Sequence, residues 1–262
     1  MKTASLTVVI LNYNNFDDTR NCLDSLYSCR FSGQLRLVVV DNASSDDSLI
    51  QLKKHFPHVT YILATKNLGF AGGNNLAITQ YLDQSDYFLL LNNDTVVTKP
   101  EFLTEFMNTP GDIVGTIISY RKHGQILYDF GGLVDPILGR NRHLVTANRR
   151  KPPMRTPDYF SGVCLLVMSS VFKKVGLLDP RYFFYYEDAD FCLRAKKHGF
   201  KLGFYPNCSI IHKLSSSANK LGRIKLHWLI NSHLRFAVSH LPPSSLPLAL
   251  LFNLYLRLKY YL

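Results

Sequence analysis

After Asp190 the chain contains no acidic residue. Residues 191–262 hold 11 Lys/Arg and no Asp or Glu, whereas residues 1–190 hold 19 of each sign, so the net charge of +11 lies in the C-terminal quarter. Nucleic acid and anionic lipid are the usual partners of such a block, and a solvated basic face is the plain alternative. There is no CxxC pair either. The five cysteines (Cys22, Cys29, Cys164, Cys192, Cys208) are odd in number and scattered, which argues against a disulfide framework and for free thiols in a reducing cytoplasm. No leader stands before the first apolar run, since Met1-Lys2-Thr3-Ala4-Ser5 leads straight into Leu6-Thr7-Val8-Val9-Ile10, and the expectation is again a cytoplasmic protein. A membrane-spanning run is also missing. The uncharged stretch from Leu246 to Leu256 is about 11 residues, well short of the roughly 20 a helix needs to cross a bilayer.

The G-x-G-x-x-G spacing of a dinucleotide site is absent from the first turn; Gly69, Gly72 and Gly73 come after the third strand instead. What is present is a repeated order of apolar strand, polar loop and helix. Residues 6–12 read as a buried strand ending in Asn12-Tyr13-Asn14-Asn15, with Asp17 or Asp18 capping a helix to about residue 29. Leu35 to Val40 is a second strand, running into Asp41-Asn42-Ala43-Ser44, and a helix then reaches Phe56. Val59 to Leu63 is the third strand, and Asn67-Leu68-Gly69-Phe70-Ala71-Gly72-Gly73-Asn74-Asn75 opens a helix to Tyr81. Tyr87 to Leu91 is the fourth, and it stops abruptly at Asn92-Asn93-Asp94. Such alternation predicts an α/β fold with a mostly parallel sheet flanked by helices and right-handed crossovers.

Ligands of such sheets bind beyond the carboxyl ends of the strands. Asn12, Asp41, Asn67, Asn74 and Asp94 should therefore share one rim. A carboxylate at the place of Asp41 suits the N3–H of uracil or thymine, and glycines at 69–73 let backbone N–H groups approach a ligand. Asp94 with neighbouring amides suits Mg²⁺ or Mn²⁺ held jointly with phosphates. Each residue alone also reads as a helix cap or a turn.

The middle is less regular. Asp112 to Ser119 reads as a fifth strand, Gln125 to Asp135 as a hairpin, and residues 139–157 as a basic, Pro-bearing surface loop or a lid. Tyr159 to Met168 is a long apolar strand, followed by a short helix capped by Ser169 and ending at Gly176. Glu187, Asp188 and Asp190 then open a helix behind the aromatic cluster Phe183-Phe184-Tyr185-Tyr186. One acid would satisfy the helix dipole; Glu187-Asp188 after aromatics reads as a general base in a partly desolvated cleft. A short strand, Leu202 to Tyr205, leads to Ser209-Ile210-Ile211-His212, whose histidine is a candidate metal ligand.

Taken together, Val8 to Asn14, Val40 to Asp46, Asn67 to Asn75, Asn92-Asn93-Asp94, Glu187-Asp188 and His212 resemble the family 2 inverting glycosyltransferases of GT-A fold. The branch most resembled is the rhamnosyltransferase-like one of bacterial O-antigen and cell-wall polysaccharide synthesis. The likeness covers roughly residues 5–215, which sets a catalytic domain over 1–215 and a basic amphipathic helical tail over 216–262. It implies that Asn12, Tyr13 and Asp41 hold the pyrimidine, that Asn67, Gly72 and Asn74 line the nucleotide and donor sugar, and that Asn92-Asn93-Asp94 occupies the DxD position. It further implies Asp94 and His212 as contacts for Mg²⁺ or Mn²⁺ and Asp188, beside Glu187, as base. The first DxD position is Asn92, which leaves a single carboxylate for the metal.

The implied reaction moves a sugar, with L-rhamnose from dTDP-rhamnose leading, from a nucleoside-diphosphate donor to a saccharide acceptor with inversion. UDP-galactofuranose, UDP-GlcNAc and other UDP-hexoses are the alternative donors, and a sugar-nucleotide-binding module without turnover is the alternative function. The family implies an acceptor on polyprenyl diphosphate at the cytoplasmic leaflet. Basic and aromatic residues around the short apolar run of the tail suit a peripheral membrane contact, against which stands a helical pair packed on the domain. A nucleotidyltransferase would want a Gly-rich basic loop after the first strand, and nucleic-acid binding would leave the acidic cluster at 187–190 unexplained.

Overall fold

The computed structural model describes residues 4–152, 154–214 and 222–261. Met1-Lys2-Thr3, on which the expectation of no leader falls, Pro153 of the basic stretch, the boundary expected between 215 and 216, and Asn219-Lys220-Leu221 of the tail lie outside the described residues. The first half alternates as expected: β1 (Ser5–Asn12), α1 (Phe16–Tyr27), β2 (Gln34–Asp41), α2 (Ser48–His55), β3 (Thr60–Leu63), α3 (Gly69–Tyr81) and β4 (Tyr87–Asn92). There follow β5 (Thr95–Val97), α4 (Phe102–Met107), β6 (Ile113–Lys122), β7 (Gln125–Val134), β8 (Asn141–Thr146), β9 (Cys164–Met168), α5 (Ser169–Val175), α6 (Glu187–Lys197) and β10 (Leu202–His212). The tail forms α7 (Gly222–His240) and α8 (Leu246–Tyr261).

The ten described strands make one sheet of order β3-β2-β1-β4-β9-β6-β10-β5, with β7 and β8 added beyond β6. From β3 to β4 it is parallel. Beyond β4 it is mixed: β9 runs antiparallel to β4 and β6, and β10 runs parallel to β6 but antiparallel to β5. Continuous apolar runs build the central strands because both faces are covered. Val8, Ile10, Val39, Leu89 and Leu91 pack on one side with Leu23 and Leu26 of α1, Leu52 of α2 and Phe102 and Phe106 of α4. Val9, Val38, Val40, Phe88 and Leu90 face the other way, against Ala77 and Ile78 of α3, Phe172 of α5 and Phe191 of α6. Leu90 is fully buried, and its truncation to Ala would cost about 2–5 kcal/mol.

Four local expectations are corrected. The stretch 139–157 is not all loop, because β8 pairs antiparallel with β7 and Leu144 packs with Ile117 and Phe130 in a small separate cluster. The segment from Gln125 is one strand rather than a hairpin; its hairpin partner is β6. Helix α1 is capped by Asn15, whose side chain accepts from Asp18 N–H, not by an aspartate. Ser169 caps no backbone of its own helix, since its hydroxyl donates to the carbonyl of Ser85.

The tail is held on the domain. Phe236 of α7 enters the same core as Phe191 and Tyr186, and His233 Nε2 lies 2.7 Å from the Leu138 carbonyl. His240 Nε2 meets Asp190 Oδ1 at 2.7 Å, while Arg194 Nε donates to the other oxygen at 2.8 Å. Removing Asp190 would leave the partly buried Arg194 guanidinium and the His240 ring without their shared acceptor. Helix α8 packs on α7 through Asn253, whose amide donates to the Ile230 carbonyl at 2.7 Å.

Candidate active site

The register of the parallel strands sets the rim. Asn12 lies opposite Asp41 and Leu11 opposite Asn92, so the ends of β1, β2 and β4 are level. Asn12 is fully buried. Its amide donates to Asp41 Oδ1 (2.9 Å), Ser48 Oγ (3.1 Å) and Ser44 Oγ (3.2 Å), and its carbonyl accepts from Thr19 Oγ1 (2.8 Å). Asn12 therefore braces the carboxylate and the second turn. Asp41 Oδ1 also accepts from Ser44 Oγ at 2.6 Å, and Oδ2 accepts from Ser44 N–H at 3.0 Å. Tyr13 stands at the rim, 42% exposed. Asn93 donates to Thr19 Oγ1 at 2.9 Å, so one threonine of α1 links the first and fourth strand ends. Thr19 carries no motif, and only its position one turn after the Asn15 cap hints at it.

The glycine loop is tied from below. Asn42 donates to Asn67 Oδ1 (3.0 Å) and to the Gly69 carbonyl (3.1 Å), and Asn67 Oδ1 accepts from Gly69 N–H. Gly69 sits at φ +70°, and a Cβ there would lie 2.2 Å from the Phe183 carbonyl, so only glycine fits. Asn74 is buried and donates to Phe70 O within its own helix; Gly72 faces Leu68.

At the end of β4, Asp94 meets His212. The antiparallel pairing of β5 with β10 sets Thr95 opposite His212, and His212 Nε2 comes 3.1 Å from Asp94 Oδ1. Lys213 N–H donates to the Asp94 carbonyl, and Lys213 Nζ reaches Asp18 at 3.1 Å. Asn92 holds its strand by donating to the Val163 carbonyl. Beneath them Cys22 is pushed up to about 12, mainly by burial, so its thiol is inert.

On the far side, α6 opens from Tyr185 and Tyr186, both left-handed at φ 72°. Two tyrosines in that region cost about 1–2 kcal/mol each, and such strain gathers at functional sites. Asp188 Oδ2 accepts from Gly162 N–H at 3.1 Å. A Cβ on Gly162 would touch Phe70 at 2.8 Å and Asp188 Cβ at 3.8 Å, so the glycine loop and the acidic helix adjoin. Burial raises the Asp188 carboxyl above its ordinary value, against the pull of Gly162 N–H and of His143. Burial, then the charge of Asp188, pushes Glu187 much further. Its Oε2 is buried with no partner among the described residues. Burial raises both carboxyls, Glu187 the more, so Asp188 is the more readily ionised of the two. Asp190 is committed to Arg194 and His240 instead.

Among the described residues no cluster of three or more His, Cys, Asp or Glu could hold a metal by itself. Asp94 with His212 offers one oxygen and one nitrogen donor, a set that fits Mn²⁺, or Mg²⁺ less well, when phosphate oxygens complete the sphere.

Residues 7–176 match the family model "Glycosyl transferase family 2", and the chain belongs to that family. It is 31% identical over 220 residues to the low-salt glycan biosynthesis hexosyltransferase Agl10 of Haloferax volcanii, covering 79% of this chain and 65% of that one. The chain thus spans just under two thirds of that relative. It is 24% identical over 243 residues to the N-acetylglucosaminyl-diphospho-decaprenol L-rhamnosyltransferase of Mycobacterium tuberculosis, covering 83% and 79%. Among solved structures it is similar to the mannosyltransferase PcManGT of Pyrobaculum calidifontis with GDP-Man and Mn²⁺ (TM-score 0.59, 15% identity, 98% of this chain and 71% of that one). The fold is GT-A: a central sheet flanked by helices, with helices at the C-terminus.

Proposed function

We propose that the protein is an inverting, metal-assisted glycosyltransferase that moves L-rhamnose from dTDP-rhamnose to a lipid-linked saccharide. One observation carries the reading. The rim built by Asn12, Asp41 and the glycine loop has the Asp94–His212 pair on one side and Asp188 on the other. Asp41, fixed by Asn12 and Ser44, receives the N3–H of the pyrimidine, with Tyr13 at the exposed edge. Asn67, Gly72 and Asn74 shape the loop over the donor, and Asn93 holds that rim to α1. Asp94 and His212 would hold the cation, and Asn92 positions the strand end. A divalent ion bound there supplies Lewis-acid stabilisation of charge developing on the leaving diphosphate.

Asp188 takes the proton of the acceptor hydroxyl as that oxygen bonds to the anomeric carbon and the bond to the diphosphate breaks. A single displacement inverts the centre. Glu187, kept neutral by burial, adds no second charge beside the base. The likeness to the mycobacterial N-acetylglucosaminyl-diphospho-decaprenol L-rhamnosyltransferase supports both rhamnose and a diphosphate-lipid acceptor.

The tail supports a peripheral place at the cytoplasmic face of the membrane. No described helix is long and apolar enough to cross one. Helix α8, however, exposes Leu251, Leu254, Tyr255 and Leu258 on one stripe, beside the basic Lys259, as an interfacial helix does.

A thermal-shift series of sugar nucleotides with and without Mn²⁺ tests the donor. A ligand that binds only the native state raises the midpoint by mass action. The expected result is a metal-dependent shift with dTDP-rhamnose that exceeds those of dTDP and of UDP-sugars. A larger shift with a UDP-hexose would reassign the donor, and no shift with any nucleotide would remove the transferase reading.

A further inference from the structure

Helix α7 lies along the segment that leads into the acidic helix. Lys225 Nζ stands 5.9 Å from the centre of the Tyr185 ring, and Trp228 meets Phe183 with ring centroids 4.4 Å apart. Ser232 Oγ donates to the Phe184 carbonyl at 3.0 Å, and the Arg235 guanidinium stands 6.0 Å from the Tyr182 ring. Trp228, Ser232 and Arg235 are spaced to share one helix face. Between that face and the segment lies an open pocket of about 550 Å³, within the usual size of a small-ligand site. Its walls include Arg181, Phe183, Trp228, Asn231, Arg235 and Val238.

The charge of this pocket is positive. Arg181 is held as a fork on Asp179, with Nε at 2.9 Å from Oδ1 and Nη2 at 2.7 Å from Oδ2. Asn231 Oδ1 accepts from Arg257 Nη2 at 2.7 Å, which draws a guanidinium of α8 to the same wall. Among the described residues Asp179 is the only carboxylate paired with any of Arg181, Arg235 and Arg257, and no acid follows Asp190 in the chain. Phe183, Trp228 and the exposed Val238 supply apolar surface beside these cations.

We propose that this pocket receives the diphosphate and first isoprene units of the prenyl diphosphate that carries the acceptor saccharide. Guanidinium forks match phosphate oxygens bidentately, and an ionised diphosphate brings the negative charge that the wall lacks. The apolar wall suits a prenyl chain and gives nothing to inorganic phosphate. The place is right for an acceptor. The Phe183 carbonyl accepts from Phe70 N–H of the glycine loop at 3.0 Å, and the chain runs from Phe183 directly into Glu187 and Asp188. The saccharide end is thereby directed to the donor loop, and the lipid end leaves toward α8, which Arg257 ties to the pocket and whose outer stripe is apolar. A phospholipid headgroup shares the phosphate chemistry, but a pocket walled by the segment entering the catalytic helix favours the substrate.

The assignment rests on the transferase reading with a lipid-linked acceptor, and the test reads the two apart. Trp228 is the sole tryptophan, so the fluorescence of the full chain reports on this pocket. Farnesyl diphosphate is the probe, with farnesol, inorganic pyrophosphate and dTDP as comparisons, in wild type, Arg235→Gln and Val238→Glu. Wild type should show a saturable change with farnesyl diphosphate, at least about tenfold weaker binding of pyrophosphate and no change with farnesol over the same range. Arg235→Gln removes a fork, and Val238→Glu adds a carboxylate at an exposed position of the wall. Each should weaken the probe at least about tenfold, while the thermal shift with donor nucleotide stays as in wild type. Fluorescence indifferent to farnesyl diphosphate, or an affinity unchanged in both variants, overturns the inference; should Arg235→Gln fail to fold, Val238→Glu decides alone. Displacement of the probe by dTDP would place it in the donor site and overturn the inference as well. So would variants that lose binding to phosphatidylglycerol vesicles but keep the probe, since the pocket would then be a headgroup contact. A wild type that binds the probe but shows no shift with any nucleotide strikes the transferase reading itself, and the acceptor role of the pocket with it.

Discussion

His212 brings its Nε2 within 3.1 Å of Asp94 Oδ1 across the antiparallel pairing of β5 and β10. The chain between them builds β6 to β9 and the whole acidic helix, so the pair forms only when the sheet is complete. Both side chains are nearly buried, at 13% and 10% exposure. His212 ends β10, and Asp94 stands in the two-residue turn between β4 and β5. On the proposed reading, with Asn92 in place of a first carboxylate, His212 is the second donor, and metal affinity should depend on it strongly. His212→Ala should raise the Mn²⁺ concentration giving half-maximal activity by about 10–100-fold, the usual effect of losing a ligand or its support. Asp94→Asn should abolish the metal-dependent part of the thermal shift with nucleotide. Unchanged Mn²⁺ titrations in both variants would move the cation elsewhere.

The two neighbouring carboxyls of α6 should separate by substitution. Asp188→Asn should lose turnover by at least about a hundredfold while keeping donor binding, because a general base contributes about 10²–10⁴-fold. Glu187→Gln should keep most activity, since burial already favours the neutral form of Glu187. Stability gives an independent check with a fixed sign. The folded-state affinity of Glu187 for its proton is raised above the ordinary 4.5. Its contribution is therefore fully present below about pH 4.5 and is lost as pH rises toward the folded value. Glu187→Gln, which cannot ionise, should thus gain in Tm relative to wild type on going from pH 4 to neutral pH. A Tm difference that is flat with pH would mean that Glu187 ionises freely, and the proposed neutral role would fail.

The outer stripe of α8 makes the membrane reading testable. Half-exposed leucines that settle into an interface contribute roughly 1–2 kcal/mol each. A Leu251→Ser/Leu254→Ser double variant should therefore partition to vesicles containing anionic lipid at least about tenfold more weakly. High salt should weaken wild-type binding further, through the basic residues. Equal co-sedimentation of wild type and variant would leave the stripe to another role.

Much of this architecture was legible because it follows from local chemistry. β1, β4, β9 and the second half of β2 are largely apolar runs, and the sheet buries both faces of each. The polar residues that end β1, β2 and β4 are level because these three parallel strands lie in register. What the sequence hides is what depends on long-range pairing. β8 shows only Leu144 as a well-buried residue, so it carries little alternation to read. β5 is three residues long and exists to meet β10. The link from Asn93 through Thr19 to Asn12 joins three elements by a side chain with no signature.

Gly69 gives the sharpest test of how the donor loop is bound to the catalytic helix. Its φ of +70° is left-handed, and its missing Cβ is the space filled by the Phe183 carbonyl, 2.2 Å from where that carbon would be. That carbonyl also accepts from Phe70 N–H at 3.0 Å, and the Phe70 ring rests against Gly162, the donor to Asp188. An alanine at 69 must therefore push Phe183 away, break the Phe70 bond and tilt the segment that leads into Glu187 and Asp188. Backbone strain alone costs about 1–2 kcal/mol, and the displaced carbonyl adds a lost hydrogen bond of about 1 kcal/mol. Gly176 is the control: it sits at φ +87° with nothing within 4 Å of a built Cβ, so Gly176→Ala suffers the strain without the collision. Gly69→Ala should lower both Tm and kcat/KM, the latter at least about tenfold, whereas Gly176→Ala should lower Tm by a similar strain term and leave kcat/KM near wild type. Equal kinetic losses in the two variants would show that the effect is global destabilisation, and the coupling of the loop to Asp188 through Phe70 and Gly162 would have to be given up.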